Sequence, residues 1–292
     1  MDISIIIVNY NTELLISKCI NSIFEKTKNV TFEIIVINNA SKNDTSILKY
    51  DKRITYIESK QNLGFGGANN LGAQFAKGKY LFFLNPDTLL INNAIYILYN
   101  YLENNQDVGI CGGNLYDINK NPTHSYRIIP PGILSEIYTL TLGFPFKYFL
   151  HEDFNPTLKP IRVSYITGAD LLIRTTLFNK IGGFNKKFFM YFEETFLCKE
   201  IIKLKYKIYN VPQAQIIHYE GKSFEWKQQR EKMYFESRKT YIISQHGRIS
   251  YYICNLIYSI TCATRILSFA LIRNNNKRKF WTYKLKQIIY KS

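Results

Sequence analysis

Three ionisable residues in this sequence have types that suit metal-assisted group transfer. Asp87 follows a run of five apolar or aromatic residues, Glu194 belongs to an acidic pair at the start of a helical pattern, and His218 ends a short strand pattern. Asp87 and His218 could hold a divalent cation against a diphosphate leaving group, and the Glu194 carboxylate could deprotonate a hydroxyl as general base. Each residue also has a structural interpretation: a turn residue, an acid favoured by a helix dipole and a surface histidine.

The elements predicted around these residues would bring them to one edge of a sheet. Continuous apolar runs predict strands buried on both faces, and they alternate with segments whose apolar residues recur at helical spacing. The predicted strands span residues 2–8, 32–37, 54–57 and 79–84. This alternation predicts an α/β fold with a mostly parallel central sheet flanked by helices, in which ligands bind outside the carboxyl ends of the strands.

The second half of the chain has a less regular pattern. Residues 119–160 are rich in proline and aromatic residues and match no element, which is typical of a binding loop. An aromatic run at residues 188–192 leads to Glu193 and Glu194 at the start of a predicted helix. Both carboxylates fall within about 60° of the centre of that helix's apolar stripe, so we expect them to point inward.

The net charge of +16 is concentrated near the C-terminus. From Gly221 onward 15 basic and three acidic residues give +12, whereas residues 1–220 carry +4. Residues 251–272 are long enough to span a bilayer, but Asn255 and Arg265 interrupt the apolar run. We therefore expect a basic amphipathic helical tail that lies on an anionic membrane surface, although packing as ordinary core helices stays open.

Composition and motifs exclude several classes of protein. A hydrophobic content of 46% excludes general disorder, and five scattered cysteines without metal or disulfide spacing are typical of a reducing compartment. No signal-peptide pattern follows Met1, so we expect a cytoplasmic protein, peripheral on the inner face of the cell membrane. Basic charge without a recognisable binding module gives no support for a nucleic-acid partner.

A glycine-rich segment at residues 64–68 does not fit a dinucleotide fingerprint. Such a fingerprint follows the first strand and ends in a third glycine, where this chain has Asn69 after its third predicted strand. A nucleotidyltransferase would need a glycine-rich phosphate loop soon after the first strand, and residues 9–11 are Asn-Tyr-Asn. Neither NAD binding nor nucleotidyl transfer is therefore expected.

Eight motifs in order carry a resemblance to a known enzyme family. They are IIIVNYN at 5–11, VINNAS at 36–41, NLGFGGANN at 62–70, LNPDT at 84–88, TGAD at 167–170, GGFN at 182–185, FFMYFEE at 188–194 and IIH at 216–218. With these motifs the chain resembles family 2 glycosyltransferases of the GT-A fold, particularly the rhamnosyltransferase-like branch of bacterial surface polysaccharide synthesis. The resemblance implies a Rossmann-like catalytic domain at 1–220, with a nucleotide-binding half at 1–115 and an acceptor or catalytic half at 116–220, followed by the tail at 221–292.

Carried over position by position, the resemblance implies a nucleotide-sugar site. Tyr10 would stack on the pyrimidine of the donor, and Asn39 would read the base edge. Asn38 stands beside it where the branch usually has Asp, which leaves dTDP- and UDP-linked donors open. Asn70 would help to position the nucleotide, and Asn85 would contact the ribose directly or through water.

The resemblance also implies the reacting groups. Asp87 and His218 would be the ligands of Mg²⁺ or Mn²⁺, and Glu194 would be the general base. Phe196 departs from the family pattern, because an acid is common at this position. The residues implied to contact the donor or acceptor sugar are Gly168, Ala169, Asp170 and Glu193.

The implied reaction is transfer of rhamnose or another hexose, with inversion, from a nucleotide-diphosphate donor to a saccharide acceptor in cell-surface polysaccharide synthesis. A lipid-linked acceptor would explain why a catalytic domain carries a membrane-seeking tail. The alternative is a membrane-associated homologue that binds nucleotide-sugar without turnover.

Overall fold

The computed structural model describes residues 1–144, 152–219 and 227–289, with side chains in the last range from residue 229. Two compact units make up the chain. The first, the sheet unit, comprises Met1–Ile128 and His151–Glu225. The second, the helical unit, comprises Ile129–Leu150 and Trp226–Ser292.

The sheet unit contains the strands of the described chain. In order they are β1 Ile3–Asn9, β2 Phe32–Asn38, β3 Thr55–Glu58, β4 Tyr80–Leu84, β5 Thr88–Leu90, β6 Val108–Tyr116, β7 Tyr126–Arg127, β8 Ile161–Arg162, β9 Tyr165–Ile166, β10 Asp170–Arg174 and β11 Lys207–His218. The main sheet has the order β3-β2-β1-β4-β10-β6-β11-β5, with β8 beside β11, and β7 pairs with β9 separately.

Strand direction determines which chain ends meet at the edge of this sheet. Strands β1 to β4 are mutually parallel, as predicted, and β6 is parallel to β11. Strand β10 runs antiparallel between β4 and β6, and its first residue, Asp170, pairs with Leu84 at the end of β4. The sheet is therefore mixed, and the segment that enters β10 lies at the carboxyl edge of the parallel strands.

The helices cover both faces of the sheet, which confirms the predicted α/β class. In the described chain they are α1 Glu13–Lys26, α2 Ser46–Lys49, α3 Gly64–Ala73, α4 Ala94–Asn104, α5 Ile133–Leu140, α6 Thr175–Lys180, α7 Glu193–Lys203, α8 Lys227–Leu271 and α9 Asn275–Ile289. In β1, Ile5 and Ile7 pack in the core cluster that contains α1 and α4 residues, and Ile6 packs in the cluster with α6 and α7 residues. Both faces are buried, which explains the continuous apolar runs.

The helical unit joins α5 to the two C-terminal helices. Helix α8 is kinked at Gly247, where φ is 84° and ψ is 170°. Phe235 before the kink and Tyr258 after it pack ring to ring at 5.9 Å, so the two segments fold back on each other. The predicted unstructured stretch at 119–160 thus contributes α5 to the unit that contains the tail.

Candidate active site

The carboxyl end of β1 is held by a network around Asn9. Its Nδ2 donates to Glu13 Oε1 at 3.0 Å and to Ser41 Oγ at 3.0 Å, and its Oδ1 accepts from the Thr12 backbone at 3.1 Å. The side chain of Asn9 is fully buried, so these bonds are shielded from water. They fix the loop that carries the half-buried Tyr10 directly after the strand.

The two asparagines that end β2 are also bonded within the protein. Asn39 Oδ1 accepts from the Leu63 backbone at 2.8 Å, and its Nδ2 donates to Asn62 Oδ1 at 3.0 Å. Asn38 Oδ1 accepts from the Ser41 backbone at 3.2 Å. Asn39 therefore connects the end of β2 to the start of α3, and its contact with a base stays a prediction.

Asn70 is bonded to the backbone of a distant motif. Its Nδ2 donates to the Phe184 carbonyl at 2.8 Å, and its Oδ1 accepts from the Phe184 N–H at 2.8 Å. Both ends of the amide are thus used by the turn that Gly182 and Gly183 begin. Any effect of Asn70 on a nucleotide would act through the position of α3 and this turn.

Asp87, His218 and Asn85 converge at the end of β4. Strands β5 and β11 pair antiparallel with His218 opposite Thr88, which places His218 beside the turn that contains Asp87. His218 Nε2 lies 3.3 Å from Asp87 Oδ1 and 3.2 Å from Asn85 Nδ2. The Asp87 side chain is 2% exposed and that of His218 is 12% exposed. The structure thus brings together the two predicted metal ligands.

The donor atoms at this point suit a hard divalent cation. Two cis ligands of an octahedral ion at about 2.1 Å would be about 3.0 Å apart, close to the observed distance. The Asn85 amide can rotate to present its oxygen, which would give two oxygens and one nitrogen. In the part of the chain that the structure describes, no group of three or more His, Cys, Asp and Glu could hold a metal. Asp87 and His218 would therefore need further ligands from the phosphates of a donor.

The acidic pair begins α7 after a strained turn. Tyr191 and Phe192 have φ values of 71° and 68°, in the left-handed region that non-glycine residues rarely adopt. Such residues cost about 1–3 kcal/mol each and are typical of functional sites. The turn places Glu193 and Glu194 in the first helical turn, with Glu193 only 4% exposed and Glu194 half-buried.

The two carboxyls differ in their environments. Burial raises the pKa of Glu193 well above its ordinary value, and the neighbouring Glu194 charge raises it further. Burial also raises the pKa of Glu194, but hydrogen bonds that include the Thr195 hydroxyl at 3.1 Å oppose this. The pKa of Glu193 is therefore raised by both burial and charge, whereas hydrogen bonds oppose the rise at Glu194, as a general base requires.

The segment before β10 connects the acidic pair to the metal-ligand cluster. The Ala169 carbonyl accepts from the Asn85 N–H at 3.0 Å. A Cβ built on Gly168 would lie 3.1 Å from the Phe65 ring and 4.0 Å from Glu194 Cβ. Asn85 and Glu194 thus border the same short turn, at one edge of the sheet.

Asp170 lies at the start of β10, inside the main sheet. Its side chain is fully buried, and its Oδ2 accepts from the Gly113 N–H at 2.5 Å. Burial raises the pKa of this carboxyl well above its ordinary value. The side chain joins β10 to β6, and its contact with a sugar stays a prediction.

The structure explains why Phe196 and Gly64 occupy their positions. Phe196, where the family pattern favours an acid, packs against the Phe188 ring at 5.5 Å and so supports the aromatic run before α7. Gly64, which belongs to the NLGFGGANN motif, has φ +72°, and a Cβ there would lie 2.1 Å from the Phe189 carbonyl oxygen. That carbonyl accepts from the Phe65 N–H at 2.9 Å, so Gly64 permits the contact between α3 and the aromatic run.

The relatives that this chain matches are glycosyltransferases, the class of enzyme that its sequence motifs resemble. Over 190 residues the chain is 33% identical to an uncharacterised glycosyltransferase of Rickettsia prowazekii, covering 63% of this chain and 54% of the relative. Over 225 residues it is 28% identical to the low-salt glycan biosynthesis hexosyltransferase Agl10 of Haloferax volcanii, covering 74% of this chain and 66% of the relative. The chain thus spans between half and two thirds of the length of these relatives.

Solved structures share the fold at low identity. A structure of GalNAc-T7 with UDP, GalNAc and Mn²⁺ has a TM-score of 0.67 at 16% identity, covering 99% of this chain and 57% of that one. A mannosyltransferase of Pyrobaculum calidifontis with GDP-mannose and Mn²⁺ has a TM-score of 0.58 at 14% identity, covering 98% and 84%. The sequence model of the Glycosyl transferase family 2 matches residues 4–182, which is more than half of the chain. The protein belongs to glycosyl transferase family 2.

Proposed function

We propose that this chain transfers a hexose from a nucleotide-diphosphate donor to a saccharide acceptor with inversion. The observation that carries the proposal is the contact of Asp87 with His218 at 3.3 Å, beside Asn85, whose backbone bonds to the turn that borders Glu194. In this reaction a bound cation would neutralise the leaving diphosphate, and a carboxylate base would take the proton of the acceptor hydroxyl.

The donor would lie along the carboxyl ends of β1, β2 and β4. Tyr10 would stack on the base, with Asn38 and Asn39 beside it, and the diphosphate would face Asp87. Because Asn38 supplies no charge, the site would take a dTDP- or UDP-linked donor without repulsion from this position. The related structures hold UDP with Mn²⁺ and GDP-mannose with Mn²⁺, which supports Mn²⁺ or Mg²⁺ at this site. The transferred sugar would be rhamnose or another hexose.

The chain's own residues would carry the proton. A divalent cation on Asp87 and His218 would supply charge that neutralises the departing diphosphate. Glu194 would take the proton from the acceptor hydroxyl while the oxygen bonds to the anomeric carbon and the bond to the diphosphate breaks with its electron pair. Attack opposite the leaving group inverts the configuration.

The acceptor is proposed to be lipid-linked, with the helical unit on the inner face of the cell membrane. Within the described residues one helix segment, Gln229–Leu271, is long enough to cross a membrane and contains an 18-residue window with a mean hydropathy of 1.4. Only 28% of its apolar window is buried. The exposed large apolar side chains of α8 after the kink are Ile249, Tyr252, Ile253, Leu256, Ile260, Leu267 and Leu271. The kink at Gly247 and the packed opposite face favour a helix lying on the surface over one that spans.

The membrane proposal is tested by sedimentation with anionic liposomes at low salt. We expect the full chain to sediment and a variant with Leu256→Gln and Ile260→Gln to stay in solution. Equal sedimentation of the two proteins would contradict this use of α8.

The catalytic proposal is tested by donor hydrolysis and transfer with Mn²⁺ or Mg²⁺. Asp87→Asn keeps the size of the side chain but removes its charge, and we expect activity to fall by more than about 100-fold because even indirect metal contacts are worth 10–100-fold. Asp107→Asn makes the same change at an exposed residue beside the start of β6 and should leave activity intact. If UDP or dTDP raises the melting temperature but no donor is turned over, the chain is the non-catalytic binding homologue.

A further inference from the structure

An open cavity of about 400 Å³ lies at the edge of the main sheet, within the sheet unit. Its walls come from β5, the last strand of that sheet, from helix α1 and from the turn that follows β6. A water-sized group occupies about 30 Å³, so the cavity has room for about 13 non-hydrogen atoms, enough for one sugar residue. The polar side chains that line it are Lys18, Asn21, Ser22, Glu25, Lys26 and Lys120.

One face of α1 forms the polar wall of this cavity. Lys18, Asn21, Ser22 and Glu25 recur at helical spacing and therefore lie along one side of the helix. Ser22 Oγ accepts from the Leu90 N–H at 3.1 Å, which holds this side against the edge strand. Lys18 is exposed and forms no ion pair with the described residues. Its ammonium group is therefore available to an anionic ligand.

Asn21 supplies a donor whose orientation is fixed by its neighbours. Arg53 Nη1 donates to Asn21 Oδ1 at 2.9 Å, and the same guanidinium bonds to both carboxylate oxygens of Asp51, at 2.9 and 2.7 Å. The guanidinium also lies 5.3 Å from the centre of the Phe24 ring. Because a guanidinium can only donate, the Asn21 amide cannot exchange its two ends, and Nδ2 stays the donor. Asn21 is an exposed residue, so this donor is left to a ligand or to water.

A closed turn carries Lys120 to the cavity. Lys120 has a φ of 60°, in the left-handed region that lysine rarely adopts. Its N–H donates to the Asp117 carbonyl at 2.9 Å, and the Asp117 carboxylate accepts from the N–H groups of Asn119 and Asn121 at 2.8 Å. In the part of the chain that the structure describes, the exposed Lys120 side chain makes no ion pair. The turn fixes the backbone of this lysine, which lowers the entropy lost when a ligand binds.

The walls together favour an anion that has an apolar face. Three lysines and one glutamate line the cavity, which gives a net charge of +2, and Glu25 already pairs with Lys26 at 2.6 Å. Leu89, Ile91 and Ile217 are half-buried and supply apolar surface. A sugar ring presents C–H groups on its faces, and a uronate adds a carboxylate to that ring. An acidic sugar would therefore use both the apolar surface and the charge.

We propose that this cavity binds an acidic sugar residue of the saccharide acceptor, with Lys18 and Lys120 pairing with its carboxylate. The identity of this occupant rests on the proposed function, since the proposed transfer needs a saccharide acceptor. The position agrees with it, because Leu89 pairs with Ile217, one residue from His218. The site would hold the acceptor by a sugar other than the one that carries the reacting hydroxyl.

The proposal is tested by calorimetric titration of the full chain with three ligands. Trigalacturonate is the acidic saccharide, maltotriose is a neutral saccharide of the same length, and inorganic phosphate is an anion without a ring. We expect trigalacturonate to bind at least about tenfold more tightly than the other two, because only it offers both charge and apolar surface. Equally tight binding of phosphate would overturn the saccharide assignment, and equally tight binding of maltotriose would overturn the role of the lysines. Absence of trigalacturonate binding would overturn the site.

A double substitution locates the binding. Lys18→Gln combined with Lys120→Gln removes two charges at exposed positions and should weaken trigalacturonate binding by about tenfold or more. Lys60→Gln combined with Lys180→Gln makes the same change at exposed residues outside the cavity and should bind like the parent. This control separates the site from the general positive charge of the chain. Unchanged affinity in a folded Lys18→Gln, Lys120→Gln variant would refute the proposal.

Donor hydrolysis, measured separately, reports the proposed catalytic groups. The Lys18→Gln, Lys120→Gln variant should hydrolyse the donor at the parental rate, since neither lysine belongs to those groups. A chain that binds trigalacturonate but hydrolyses no donor would refute the proposed transfer and leave an acidic-saccharide site. A chain that hydrolyses the donor but does not bind trigalacturonate would refute this site alone.

Discussion

The adjacent carboxyls of α7 offer a matched pair of substitutions at the proposed reaction centre. Glu194→Gln keeps the length of the side chain and an oxygen that can accept from the Thr195 hydroxyl, now at 3.1 Å, but removes the group that takes the proton. Glu193→Gln replaces a carboxyl whose pKa is raised well above its ordinary value by burial with a neutral amide of the same shape. The two variants change the same atoms one residue apart and differ only in which carboxyl is replaced.

The expected loss is large for one variant and small for the other. A general base contributes about 10²–10⁴-fold, so Glu194→Gln should lower kcat by that factor while the donor still binds. Glu193→Gln should keep a kcat close to that of the parent. In the parent, kcat/KM should fall as pH drops through the pKa of Glu194, which burial places above 4.5. Initial rates of sugar transfer with saturating Mn²⁺ across a pH series measure both quantities.

Stability measurements give an independent check on Glu193. Its pKa in the folded protein is raised, so the folded state holds the proton more tightly than the unfolded chain does. This stabilising contribution is complete below about pH 4.5 and is lost as pH rises toward the raised pKa. Glu193→Gln should therefore melt at a higher temperature than the parent at neutral pH, with the difference shrinking toward pH 4. A Glu193→Gln variant as inactive as Glu194→Gln, or a Glu194→Gln variant with full activity, would refute the assignment of the base.

Two predictions concern packing. Glu136→Gln leaves the buried Arg238 without its counter-charge and should lower the free energy of unfolding of the helical unit by about 3–5 kcal/mol. Urea denaturation followed by tryptophan fluorescence measures this loss, and an unchanged midpoint would contradict a buried ion pair. Gly64→Ala should destabilise the sheet unit more than Gly182→Ala does. Both glycines have left-handed φ values, but only at Gly64 would the new methyl lie 2.1 Å from a backbone oxygen, that of Phe189. Equal melting temperatures of the two variants would show that this close approach is absent.

The buried strands could be predicted because each is covered on both faces. The run predicted at 79–84 corresponds to β4 at Tyr80–Leu84. Strands β6 and β11 continue through Gly113 and Asn210, residue types that are uncommon in strands. Asn210 Nδ2 donates to the Gly113 carbonyl. Contacts between strands, rather than the preference of single residues, determine where these strands end.

The sequence predicted that Asp87 and His218 lie close together, but it did not predict which side chains bond within the protein. Asp87 and His218 lie 131 positions apart in the sequence, and only the order of the strands indicates that they meet. Asn39, Asn70 and Asp170 are polar residues in the right motifs, yet their side chains bond to the protein itself. An asparagine whose amide bonds to the backbone and one whose amide can bind a ligand are identical in a sequence, so only the packed structure distinguishes them.

The C-terminal helices show why apolar composition alone left two interpretations open. After the kink, Cys254, Tyr258 and Cys262 recur every four residues and are buried in the helical unit, as ordinary core residues would be. On the same helix Leu256 and Leu267 are more than 60% exposed, as a membrane-binding face would be. The two interpretations describe opposite faces of one helix, and they are therefore compatible. A helix that keeps one packed face and one exposed apolar face has the pattern that we expect for the proposed binding parallel to a membrane surface.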